Sequence, residues 1–171
     1  MSDADCSILF VCTGNICRSP LAEGLFRAAA SQLAESWRVD SAGMAALVGQ
    51  APAPLAIATA ADRGCDITAL RARQFERADF ARFDNIVAMD AAHLDYLQAL
   101  CPAPWTGRLG LLHDAAGRPF EVPDPYGRPA AAYRRAALLI ERGIAALVTE
   151  LGGNADAPVG WLRRGAAQRE R

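Results

Sequence analysis

The run Ser7-Ile8-Leu9-Phe10-Val11, leading straight into Cys12-Thr13-Gly14-Asn15-Ile16-Cys17-Arg18-Ser19-Pro20, constrains the fold more than any other part of the chain. An unbroken apolar run after a polar start suits a strand buried on both faces, the situation in a parallel sheet. Gly14 and Asn15 then interrupt the pattern. From Ser19-Pro20 to about Glu35 the apolar residues fall at helical spacing, as Leu21, Leu25, Phe26, Ala29 and Leu33, with Pro20 in the first turn. The chain therefore begins strand, tight loop, helix.

The alternation continues. Trp37–Ser41, Asp84–Met89 and, more weakly, Leu109–Leu112 read as strands. Pro54–Arg63, Ala91–Leu100 and the amphipathic Ala130–Leu151 read as helices, the last closed by Gly152-Gly153. Strands alternating with helices predict βαβ units. The expected fold is α/β: a single doubly wound domain over 1–152, with a four-stranded parallel sheet flanked by helices and a phosphate-binding loop between strand 1 and helix 1. Residues 153–171 lose the apolar periodicity and are rich in Gly, Ala and Arg, which predicts a tail or docked extension with Trp161 and Leu162 as candidate anchors.

Charge and cysteine usage narrow the function. A length of 171 residues supports one core, and a net charge of −1 argues against nucleic acid as a partner. Arg134-Arg135 and Arg163-Arg164 read as solvated faces. Five cysteines form neither an even disulfide framework nor a regular spacing, and neither His93 nor His113 sits in a metal-ligand grouping. No metal or other cofactor is expected. No apolar stretch approaches the ~20 residues of a membrane span, and Asp3 and Asp5 stand where a secretory signal would carry positive charge. A cytoplasmic protein without a membrane partner is expected, monomeric or weakly self-associating.

The chemistry resides in the first loop. Five residues between Cys12 and Arg18 can wrap the backbone into a semicircle of inward N–H groups. At a helix N-terminus such a concavity binds an oxyanion. Gly14, and to a lesser degree Asn15, suit the left-handed dihedrals of tight winding. A thiol at a helix N-terminus beside a guanidinium is favoured as thiolate, the nucleophilic form, and the spacing gives Cys12 that setting. The Arg18 fork can hold two phosphate oxygens at once. Ser19 can donate a hydroxyl hydrogen bond to the thiolate and ease its departure from phosphorus. A second segment, Val122-Pro123-Asp124-Pro125-Tyr126-Gly127, is by itself a proline-rich turn carrying one carboxylate and one aromatic.

Together these motifs resemble the low-molecular-weight protein tyrosine phosphatases, over roughly residues 6–151. The resemblance implies a protein-tyrosine phosphatase that works through a phosphocysteine intermediate, with Cys12 as nucleophile, Arg18 as phosphoryl ligand and Asp124 as general acid. It implies that Thr13, Gly14, Asn15, Ile16, Cys17 and Ser19 complete the phosphate-binding loop, with Asn15 bracing it and Ser19 stabilising the thiolate. It implies further that Cys17 can form a protective disulfide with Cys12. A general acid fits the chemistry, because a phenolate leaves far better when protonated as the P–O bond breaks. Tyr126 is expected as one wall of the substrate cleft, packing on the substrate ring. Asp40-Ser41-Ala42-Gly43, Ala72-Arg73-Gln74 and Met89-Asp90 also resemble the family's residues, with Asp90 either a structural partner of the loop or a helix N-cap. The implied partner is a phosphotyrosine-containing protein, with small aryl phosphates also accepted.

There are departures. Leu47 stands where the family usually has a large aromatic on the cleft rim. Pro52-Ala53-Pro54-Leu55 replaces the family's Pro-Asp-x-Arg, and only Tyr126 follows Asp124-Pro125 where many animal members have two tyrosines. These leave the chemistry intact and bear on substrate preference. The alternatives on the same fold are a thiol-dependent arsenate reductase, which needs further redox cysteines, and a phosphoarginine phosphatase, which carries threonine where Ile16 stands. Asp124-Pro125-Tyr126 and the apolar Ile16 favour hydrolysis of an aryl ester.

Overall fold

The computed structural model describes residues 7–31, 33, 36–152 and 162–163. Strand β1 spans Ser7–Cys12 and has Ile8 through Val11 without exposed surface. Because side chains alternate across a strand, Ile8, Phe10 and Cys12 join one core and Leu9 and Val11 the other. Both cores need a cover, and the chain supplies helices on each side.

The first core lies under α1 (Arg18–Ala30), α2 (Pro54–Ala61) and α5 (Ala130–Leu151). The second gathers Phe75, Phe80, Phe83 and Leu97 around α3 (Asp79–Arg82) and α4 (Ala91–Leu100). Between them the sheet runs β2 (Arg38–Gly43), β1, β3 (Asn85–Ala88), β4 (Arg108–Leu111), all parallel. A two-residue strand β5, Leu162–Arg163, pairs antiparallel with β4 from within the segment read as a tail. Trp161 lies outside the described residues.

The four-stranded parallel sheet matches expectation, while several element ends differ. The first helix stops at Ala30 rather than near Glu35: Ser31 Oγ donates to Ala28 O and Leu33 N to Ala30 O, closing a turn. The second helix stops at Ala61, three residues before Gly64 takes φ +75°. The short α3 went unforeseen, since four residues carry no periodicity.

Strand order places the site. From β1 the sheet grows to β2 on one side and to β3 and β4 on the other, so loops leaving the carboxyl ends of β1 and β3 diverge and leave a crevice. Cys12 ends β1, and Asp90 follows β3 by two residues.

Candidate active site

The loop after β1 is held in shape by its neighbour. Backbone N–H groups of the segment after β2 bond its carbonyls: Met44 to Cys12 O (2.9 Å), Ala45 to Thr13 O (2.9 Å), Leu47 to Gly14 O (3.0 Å) and Ala53 to Ile16 O (2.8 Å). In a trans peptide each carbonyl opposes the next residue's N–H, so carbonyls turned outward leave N–H groups turned inward. Gly43 is what lets the two segments meet, because a Cβ there would lie 2.4 Å from Thr13 O.

Asn15, not Gly14, takes the left-handed backbone, with φ +57°. Its amide compensates that strain from three directions. Oδ1 accepts from Arg73 N (2.9 Å), which fixes the amide's orientation, and Nδ2 donates to Ser19 Oγ (2.8 Å) and Ser41 Oγ (2.9 Å). Gly14 stays outside the left-handed region, and a Cβ on it would meet Ile16 and Leu47 at ordinary contact distances of 3.6 and 3.8 Å.

This network sets donor directions down to the thiol. Ser41 donates to Glu23 Oε2 (2.6 Å), so its oxygen accepts from Asn15. Ser19 Oγ likewise accepts from Asn15 and keeps its own hydrogen, with Cys12 Sγ at 2.9 Å and Ala42 O at 3.4 Å. The nearer acceptor is the sulfur. Glu23 is buried inside α1, and burial raises its pKa against the opposing bonds from Ser41 and Arg27. Cys17 points away from this network to Tyr133 Oη (3.4 Å), and burial pushes its thiol up to about 11. Both Cys12 and Cys17 are free thiols.

Arg18, 3% exposed, is steered by partners from other elements. Its Nη1 donates to Asp90 Oδ2 (2.8 Å) and Val122 O (3.0 Å), and Nη2 lies 3.4 Å from Asp124 Oδ2. Its Nε–H is buried without an acceptor among the described residues. Asp90 fulfils both roles considered for it: one oxygen binds Arg18, and the other caps α4 by accepting His93 N (3.0 Å). Burial works against its charge, but the His93 amide and the Arg18 guanidinium outweigh it and keep its pKa below the usual carboxylate value.

Over this floor lies a cleft of about 260 Å³, lined by Cys12, Thr13, Gly14, Ile16, Cys17, Arg18, Ala45, Leu47, Asp124 and Tyr126. Sequence motifs more than a hundred residues apart thus meet in one place. Leu47 and Tyr126 stand exposed on the rim, and Asp124, 51% exposed, accepts Tyr126 N through Oδ1 (3.1 Å). Three contributors were not foreseen. Glu23 is a charged residue on the inward stripe of an amphipathic helix, a legible sign of a buried partner. His93, at the third position after the Asp90 cap, follows a local spacing rule. Tyr133 gave no sign beyond its place on the apolar face of α5.

The chain resembles known proteins in sequence and in fold. The family model described as low molecular weight phosphotyrosine protein phosphatase matches residues 7–157. A low molecular weight protein-tyrosine-phosphatase of Streptomyces coelicolor is 39% identical over 70% of this chain and 77% of its own. Among solved structures, a low molecular weight phosphotyrosine phosphatase of Vibrio cholerae O395 superposes with a TM-score of 0.79 at 38% identity, covering 87% of this chain and 98% of its own. The tyrosine phosphatase Wzb of Escherichia coli K30, solved with sulphate, gives 0.75 at 30% identity over 85% of this chain and 98% of its own.

Proposed function

Because the chain belongs to the low molecular weight phosphotyrosine protein phosphatase family, we propose that Cys12, Arg18 and Asp124 carry out its hydrolysis of phosphotyrosine. The enzyme is a cysteine-dependent protein-tyrosine phosphatase. The observation that carries the residue assignment is the buried Arg18 Nε–H, without an acceptor among the described residues, in a cleft also lined by Cys12. An unpaired buried guanidinium donor is costly, and a phosphoryl oxygen would satisfy it.

In the proposed reaction the inward N–H groups and Arg18 hold the phosphoryl oxygens. The Cys12 thiolate attacks phosphorus, the P–O bond to the phenol breaks, and Asp124 gives its proton to the leaving oxygen. Asp124 then takes a proton from the water that attacks the phosphocysteine, and the sulfur departs as a thiolate stabilised by Ser19. Ile16, Leu47 and Tyr126 offer an apolar slot suited to an aromatic ring. The proposed partner is a protein bearing phosphotyrosine, met by a monomeric or weakly associating enzyme. No described helix is long and apolar enough to cross a membrane. A thiol nucleophile needs a compartment that keeps thiols reduced, which supports a cytoplasmic site of action.

The test is Cys12→Ser. Turnover of phosphotyrosine should vanish while inorganic phosphate still binds, because a serine hydroxyl in this loop has no base to ionise it. More than a trace of activity in the variant would move the nucleophile elsewhere.

A further inference from the structure

We propose that His93 is a positioning residue for the phosphate-binding loop, holding Thr13 directly and Arg18 through Asp90, so that the loop's shape depends on His93 being neutral. The inference rests on the phosphatase assignment above. His93 belongs to the first turn of α4, is 1% exposed, and puts Nε2 2.8 Å from Thr13 Oγ1. Its other nitrogen, Nδ1, is buried 3.0 Å from Asp90 Oδ1 but off the hydrogen-bonding direction. A bare lone pair facing a carboxylate at that distance would be repelled, so Nδ1 carries the proton, Nε2 accepts, and the Thr13 hydroxyl donates.

The two ends of the loop are thereby referenced to one helical turn. Thr13, next to Cys12, is fixed by His93, and Arg18 is fixed by Asp90 at 2.8 Å. Protonation would alter both ties. An imidazolium carries a hydrogen on Nε2, so the Thr13 bond must reverse. Its charge also draws on Asp90, the carboxylate that orients Arg18. The groups facing the ring come from several elements: Asp90 from the cap of α4, Arg18 from α1, and Glu121 and Asp124 from the segment before α5. Burial is the largest influence and, helped by Arg18, holds the ring below its usual pKa against the three carboxylates, which favours the neutral form at neutral pH.

Three variants test this: His93→Leu, Thr13→Val and the double variant. The readouts are calorimetric affinity for inorganic phosphate and kcat/KM on an aryl phosphate. Each single change should weaken both by about threefold or more, the range for one hydrogen bond, and the double variant should be no worse than His93→Leu alone. Losses that multiply, or single variants equal to wild type, would overturn the proposal. His93→Gln can place an amide oxygen where Nε2 stands and cannot titrate, so it should recover activity to within about twofold at pH 7. The ratio of its kcat/KM to that of wild type cancels the titrations common to both enzymes. That ratio should rise as pH falls from 7 toward 5, and a flat ratio would overturn the proposal even if His93→Leu fails to fold. A wild-type protein that binds phosphate but turns over no aryl phosphate would sink the phosphatase assignment alone, since the affinity comparison still decides the role of His93.

Discussion

Two residues near the thiol lead to separable predictions. Asp124 is half-exposed and lies 3.4 Å from Arg18 Nη2. As the general acid its worth should grow with the basicity of the leaving group. Asp124→Ala should slow phosphotyrosine turnover by about 10²–10⁴-fold and p-nitrophenyl phosphate turnover much less, because nitrophenolate departs without a proton. Steady-state kinetics on both substrates checks this, and an equal loss on both would assign Asp124 a structural role in the turn it forms with Tyr126 N. Cys17 is the second case. Peroxide should convert Cys12 to its sulfenic acid, which Cys17 then attacks to give a disulfide and water. The attacking species is the Cys17 thiolate, scarce below its pKa of about 11. Disulfide closure should therefore quicken about tenfold per pH unit through the neutral range, and thiol should restore activity. Quenched-flow mass spectrometry reads this rate. A pH-independent rate would show that Cys17 leaves Tyr133 and ionises readily once Cys12 is oxidised.

At the level of elements, close packing of helix on sheet outweighs intrinsic propensity. Gly143 lies within α5, where alanine would ordinarily add about 1 kcal/mol of helix stability. A Cβ there would stand 2.8 Å from Leu112 Cβ and 2.7 Å from Leu112 Cδ2. The Leu112 Cβ is tied to its backbone and cannot rotate away, so α5 must lift from the sheet. Overpacking of this kind costs about 1–3 kcal/mol. Gly143→Ala should accordingly lower the urea midpoint despite the better helix former, and a raised midpoint would show that Leu112 yields. The extent of α5 itself, Ala130–Leu151, was legible from its amphipathic pattern and the glycines beyond it. The end of α1 was not, since Leu33 continues the apolar spacing and packs on the core from a turn rather than from the helix.

For the molecule as a whole, the described residues lining the cleft lie between Cys12 and Tyr126, and among the described residues β5 pairs with the sheet at Arg108 and Leu109. Ending the chain after Gly152 should leave turnover of an aryl phosphate within about twofold. Failure of the truncated chain to fold would make β5 part of the core. The sequence by itself determined the parallel α/β sheet, the Cys12–Ser19 loop and the second motif at Asp124, because apolar periodicity, a glycine-bearing turn and motif spacing are local properties written in consecutive residues. Only the tertiary structure decided that Asn15 rather than Gly14 takes the left-handed turn, since Arg73, Ser19 and Ser41 together hold its amide there. It also decided that Asp90 and His93 hold Arg18 and Thr13, and that Glu23 ends a hydrogen-bond chain leading to Cys12. Most of those contacts join residues far apart along the chain. A buried polar group takes whichever partner the packed fold brings within hydrogen-bonding reach, and that choice is made by how strands and helices stack rather than by any local run of residues.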